Sequence, residues 1–119
     1  MTGLTILLVA TDPARARAAF TLAISQAALG GRVRLYAHER AVTTLVPGQD
    51  GDEILLADAG LPSRRDLLAM MMDAGVSVVA CQTGLALCGL GIGNLCAGAE
   101  AGGLMSILAD LGDDRLVVI

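Results

Sequence analysis

From Leu4 to Ala10 the chain runs apolar without a charge, and at Thr11-Asp12-Pro13 the pattern changes at once to that of a helix. A strand so uniformly apolar must be covered on both faces, the condition of a central strand in a parallel sheet. Asp12 is a natural N-cap, and Pro13 suits the first helical position, where a missing N–H costs nothing. Ala16, Ala19, Phe20, Ala23, Ile24 and Ala27 then recur at helical spacing, and Gly30-Gly31 ends the run. A parallel sheet needs crossover connections, and this strand–helix alternation supplies the first of them.

The alternation continues. Arg32 to Ala37 interleaves charge with Val33 and Leu35, which predicts a second strand more exposed on one face. His38 to Pro62 is irregular, with a strong loop signal at Pro47-Gly48-Gln49-Asp50-Gly51 and a short helix expected over Asp52 to Ala59. Ser63 with Asp66 resembles a capping box, opening a helix that reaches Gly75. Met70, Met71 and Met72 lie in that helix, where core or subunit packing explains them better than a binding face. Val76 to Ala80 reads as a buried strand, followed by a turn at Cys81 and a helix from Gln82 into a glycine-rich end. A link near Cys96-Ala97-Gly98-Ala99, a helix over Gly102 to Leu111 and a closing strand from Arg115 to Ile119 complete the pattern. The prediction is a single α/β domain spanning 1–119, a three-layer α/β/α sandwich on a mainly parallel sheet of about five strands in flavodoxin-like order. In such a fold a ligand site lies beyond the carboxyl ends of the strands, where the strand order reverses. Thr11, Asp12, His38, Cys81, Gln82 and Thr83 all fall at that edge.

Composition narrows the function. Apolar residues make up 55% of 119 positions, more than a small monomer readily hides, so a homo-oligomer is expected. One Phe, one Tyr and no Trp leave no stacking platform, and a net charge of −4 repels phosphate backbones, so no nucleic-acid partner is expected. The basic residues are all Arg, which removes a lysine Schiff base and a phosphate-binding lysine. Ala74 to Ala99 carries no charge and is long enough for a membrane span, but it opens as a β-branched strand and holds Gln82, Thr83, Asn94 and six glycines. A buried strand and helix explain it instead. The start, Met1-Thr2-Gly3, lacks the charged region of a secretory signal, which predicts a cytoplasmic chain with reduced thiols.

Cofactor motifs fail on spacing. Gly89-Leu90-Gly91-Ile92-Gly93 lacks the third glycine of a dinucleotide fingerprint, since Asn94 takes its place, and the segment follows a helix rather than a strand. Cys81, Cys88 and Cys96 have neither C-x-x-C spacing nor a second histidine beside His38, so neither a metal nor an organic cofactor is expected. On an unbroken helix Cys81 and Cys88 would stand about 10 Å apart, beyond disulfide reach. Cys81 sits where a strand meets a helix start, and the unpaired N–H groups there stabilise a thiolate. His38 is a base or cation near Cys81 if its strand is a neighbour, and a solvated loop residue otherwise. A carboxylate such as Asp12 beside Cys81 would raise the thiol pKa.

The segment Cys81-Gln82-Thr83-Gly84-Leu85-Ala86-Leu87-Cys88-Gly89-Leu90 resembles the cysteine–turn–helix segment of DsrE/DsrF-like proteins, and the likeness continues through Gly98-Ala99-Glu100-Ala101-Gly102-Gly103-Leu104. Gly84 stands where many relatives carry a small hydroxyl residue, and Cys88 where they carry an apolar one. The resemblance implies a small subunit of a trimer, hexamer or related hetero-oligomer that takes sulfane sulfur from a donor protein and passes it to an acceptor. It places the persulfide on Cys81, with Gln82 and Thr83 supplying hydrogen bonds; Thr11 and His38 are expected to face substrate from their place at the same strand ends. Two other readings stay open: a non-catalytic scaffold with Cys81 merely packed, and a small-molecule-binding subunit of the same fold.

Overall fold

A computed structural model describes residues 2–48 and 50–119; Met1, and Gln49 within the Pro47–Gly51 loop signal, lie outside the described residues. Five strands form one sheet, in which every pairing is parallel. They are β1 (Leu4–Leu8), β2 (Val33–Ala37), β3 (Ser77–Cys81), β4 (Glu100–Gly102) and β5 (Arg115–Val118). The helices are α1 (Pro13–Ala28), α2 (Glu53–Asp58), α3 (Arg64–Asp73), α4 (Gln82–Cys88) and α5 (Leu104–Ala109). Both predicted helix starts are present. The Arg15 N–H donates to Asp12 Oδ2 at 3.0 Å, and Ser63 and Asp66 form the reciprocal capping box.

One sheet face carries Leu4, Ile6 and Leu8 of β1 beside Val33, Leu35 and Ala37 of β2, all buried. Against it lies α1, whose Ala16, Ala19, Phe20 and Ala23 are buried; the small side chains let the helix axis come close. Next to α1 packs α3, burying Leu67, Leu68 and Met71 while Met70 faces outward. On the opposite face lies α5, and the layers are those expected.

The strand order is β4-β3-β2-β1-β5. It differs from the flavodoxin-like order, 2-1-3-4-5, in that β3 pairs with β2, and in that β2 rather than β3 holds the centre. The order reverses between β1 and β5, where Leu4 registers with Arg115 and the Arg115 N–H donates to the Gly3 carbonyl at 2.9 Å. Apolar runs identify strands but do not name their neighbours. Two other features depart from the sequence pattern. The link after Cys96 continues into β4, a three-residue edge strand too short and too rich in glycine to show periodicity. The irregular stretch after His38 holds a 3-10 helix, Glu39–Leu45, which buries Ala41, Val42, Thr44 and Leu45.

The largest correction concerns β2. All five of its residues are buried, Arg34 included at 7% exposure, where an exposed face was expected. Arg34 is buried because it is fully partnered beneath α5. Its guanidinium donates to Thr5 Oγ1 at 3.0 and 3.2 Å, to the Ile107 carbonyl at 3.1 Å and to Asp110 at 3.4 Å. The Thr5 hydroxyl donates in turn to Asp114 Oδ2 at 2.9 Å, an atom that also accepts from Arg32 at 2.9 Å. This network ties β1, β2, α5 and the start of β5 together. Among the described residues, no helix is long and apolar enough to cross a membrane.

Burial alone would raise the Asp114 carboxyl, but hydrogen bonds from Arg32 and Thr5 and the charges of Arg32 and Arg34 hold it below its usual value. A depressed folded-state pKa adds stability that is full above the unfolded value, about 3.9, and is lost as pH falls through the folded value. Asp114→Ala should therefore cost about 2 kcal/mol at neutral pH, because it removes a carboxylate that accepts hydrogen bonds from Thr5 and Arg32 and lies 3.6 Å from Arg34. In urea titrations the gap between wild type and variant should close below about pH 4.

Candidate functional site

Because β2 and β3 are parallel neighbours, their carboxyl ends open at the same sheet edge. Tyr36 registers with Val79, so Cys81, two residues further along β3, is its diagonal neighbour on the same sheet face. A tyrosine is long enough to span that diagonal, and its hydroxyl favours the Cys81 thiolate. The chain leaving β2 turns sharply at Glu39, whose φ of 46° is the one positive value among the described non-glycine residues. That turn brings the Glu39 backbone N–H to the same sulfur. From the other side, Cys81 caps α4: the Gly84 N–H donates to Sγ at 3.4 Å, and the Thr83 N–H also favours a thiolate there.

Gly84 is a condition of this arrangement. A Cβ built there would land on the Glu39 carbonyl, so only glycine lets the first turn of α4 approach the turn after β2. Position 84 is thus a contact between two backbones. At the far end of α4, Gly89 takes φ 63° as a left-handed C-cap, which stops the helix at Cys88.

The resulting cleft, about 170 Å³, is lined by Tyr36, His38, Glu39, Cys81, Gln82 and Thr83, and by Gly102, Gly103 and Leu104 from the β4–α5 junction. The structure therefore brings together His38, Cys81, Gln82 and Thr83 of the residues selected from sequence. Thr11 is exposed at the end of β1 and is not among those lining the cleft, and Asp12 is occupied as the cap of α1. The cleft sits over β2, β3 and β4, away from the β1–β5 reversal where a doubly wound sheet is expected to bind its ligand. A larger cavity of about 390 Å³ lies on the other sheet face, between α1 and α3. Sequence reasoning missed Tyr36 and Glu39. The signal available for Tyr36 was its place two residues before His38 on a strand adjoining the cysteine's own.

Burial opposes the Cys81 thiolate, yet the Tyr36 hydroxyl and the backbone N–H groups of Gly84, Glu39 and Thr83 outweigh it, so the thiol lies below its ordinary range. Burial, the nearby thiolate and Glu39 push the Tyr36 phenol well above its own range, so it remains a proton donor. Cys96 shows the contrast: buried at 6% exposure without such donors, its thiol is pushed up. Among the described residues no group of histidine, cysteine and carboxylate side chains is arranged to hold a metal ion.

Tyr36→Phe keeps the buried ring and removes one donor. With that donor gone, the Cys81 pKa should rise toward its ordinary value. The pH dependence of Cys81 alkylation by iodoacetamide, measured in a Cys88→Ser background, reads that shift; an unchanged profile would rule out that role of the hydroxyl.

Comparisons with known proteins agree with this architecture. The chain is similar in structure to the ychN protein from E. coli, with a TM-score of 0.72 and 20% identity over 99% of this chain and 100% of that one. It is also similar to MTH1491, a protein of unknown function from Methanobacterium thermoautotrophicum, with a TM-score of 0.75 and 14% identity over the full length of both chains. No curated protein matches the sequence. The model of the DsrE/DsrF-like family matches residues 5–118, nearly the whole chain, and the chain belongs to that family.

Proposed function

We propose that this protein is an intracellular sulfur carrier that holds sulfane sulfur as a persulfide on Cys81. The observation that supports it is the Cys81 sulfur capping α4 inside a small cleft, 3.4 Å from the Gly84 nitrogen and with Tyr36, Glu39 and Thr83 also favouring its thiolate, which leaves space beside it. In the loading step the Cys81 thiolate attacks the outer sulfur of a donor persulfide, R–S–SH. A new S–S bond forms on Cys81, the donor's S–S bond breaks, and the donor leaves as a thiolate. The charge returns to Cys81 when the sulfur is passed on, and the same donors receive it. The chemistry uses thiols alone, and donor and acceptor proteins are its partners. Gln82 and Thr83 line the entrance, where a bound chain would meet them.

The carrier works as a homo-oligomer in this reading, a trimer or hexamer. A parallel sheet is ordinarily covered on both faces. Here α5 leaves the β1–β5 half of one face open, with Leu116 at 43% and Val118 at 60% exposure beside the partly buried Leu7. Met105 and Leu108 of α5 are exposed as well. A second copy is the occupant that the apolar excess favours.

After incubation with inorganic polysulfide, intact-mass spectrometry should show a reducible adduct of roughly 32 Da that survives Cys88→Ser and disappears with Cys81→Ser. Well-folded protein without that adduct would leave the scaffold reading in its place. In light scattering, Val118→Asp should shift the assembly toward monomer; wild type that is already monomeric would remove the oligomer from the proposal.

A further inference from the structure

One ionisable side chain in the Cys81 cleft takes no part in holding the thiolate. His38 stands at the end of β2, where its backbone N–H donates to the Leu8 carbonyl at 2.8 Å, and it makes no side-chain cap to the 3-10 helix that follows. Its ring lies 6.0 Å from the Tyr36 ring and lines the cleft. Nδ1 is buried without a hydrogen-bond partner, while Nε2 lies 3.5 Å from Glu39 Oε1. The groups that favour a Cys81 thiolate are the Tyr36 hydroxyl and the backbone N–H groups of Gly84, Glu39 and Thr83, and the imidazole is not among them.

A carrier has two thiol partners, and the second sets a different demand. To unload the persulfide, an acceptor must arrive as a thiolate, because the neutral thiol is a poor nucleophile. The cleft, about 170 Å³, has room for five or six waters at about 30 Å³ each, enough for one thiol-bearing side chain. Its nearest carboxylate, Glu39, and the chain's net charge of −4 act against the approach of a preformed anion. A neutral thiol enters without that penalty and needs a base once inside.

We propose that His38 is that base, and that the acceptor class is an ordinary, protonated thiol rather than a preformed thiolate; this rests on the carrier reading of Cys81. The imidazole takes the proton from the acceptor R–SH, and Glu39, whose Oε1 lies 3.5 Å from Nε2, stabilises the resulting imidazolium. The acceptor sulfur attacks the outer sulfur of Cys81–S–SH, forming R–S–SH. The S–S bond to Cys81 breaks, its electron pair stays on Sγ among the four donors, and the proton leaves His38 for solvent. No net oxidation occurs.

The test compares ethanethiol, mostly protonated at neutral pH, with trifluoroethanethiol, of similar size and far more ionised, as acceptors in single-turnover unloading of Cys81 in a Cys88→Ser background. His38→Gln should slow release to ethanethiol by about 100-fold or more and leave release to trifluoroethanethiol little changed. Glu39→Gln keeps the ring and should lose rate in the same selective direction, by less, which covers the case where His38→Gln fails to fold. Equal losses with both thiols, or no loss with either, overturn the proposal. The same comparison on a Cys81 methyl disulfide, made with methyl methanethiosulfonate, needs no sulfane sulfur. If polysulfide never loads Cys81, the carrier reading fails, and the disulfide series still decides whether His38 acts as a base.

Discussion

The contact between the Glu39 backbone and the first turn of α4 is the constraint on which the site depends. It joins two chain segments that leave adjacent parallel strands at the same edge, and it closes only because residue 84 has no side chain. Glu39 is held at a positive φ, a conformation that costs an L-residue roughly 1–2 kcal/mol. Such strain persists where the surroundings over-determine it. Here the surroundings are the buried Ala41, Val42 and Leu45 of the following 3-10 helix and the β2–β3 pairing on which it rests. The core therefore sets the turn, and the turn aims an N–H at Cys81.

Anchoring the donors in this way decides the chemistry of the sulfur. A buried thiol ordinarily stays protonated, as Cys96 illustrates from a pocket lined by Pro47, Leu68 and Met72. Cys81 is as buried, at 5% exposure, and differs in what surrounds it. Three of its four donors are backbone groups fixed by secondary structure, and the fourth belongs to a tyrosine that is 1% exposed. Donors fixed in advance need no reorganisation when charge arrives. The same feature suits a group that cycles between thiolate and persulfide, because the charge leaves and returns to a site that does not have to reassemble.

Much of this was legible in the sequence, and the omissions share a cause. The apolar run from Leu4, the Asp12-Pro13 start, the Ser63–Asp66 box and the junction at Cys81 are local signals, and each element appears where they place it. What depends on contacts distant in sequence was not legible. Arg34 reads as a solvent-facing residue until Thr5, Asp110 and Asp114, up to 80 positions away, are seen to partner it. Strand order, the brief β4 and the role of Gly84 belong to the same class. Tyr36 and Glu39 carry no motif; what makes them functional is the pairing of β2 with β3, which apolar periodicity does not encode.

The Arg34 network also bears on the open half of the sheet. Beneath α5 the sheet face is polar, with Thr5 and Arg34 side by side in register and Asp114 closing the group, so α5 is held there by directional bonds as well as by Ile107. Two positions further along the strands, the same face turns apolar at Leu7 and Val118. A six-residue helix that satisfies the charged half has no length left to cover the apolar half. Buried charges must be partnered within the chain before anything else assembles, whereas an apolar surface can wait for a partner. The division of this face follows from that asymmetry: the monomer completes what it cannot leave unpaired and leaves uncovered what association can bury.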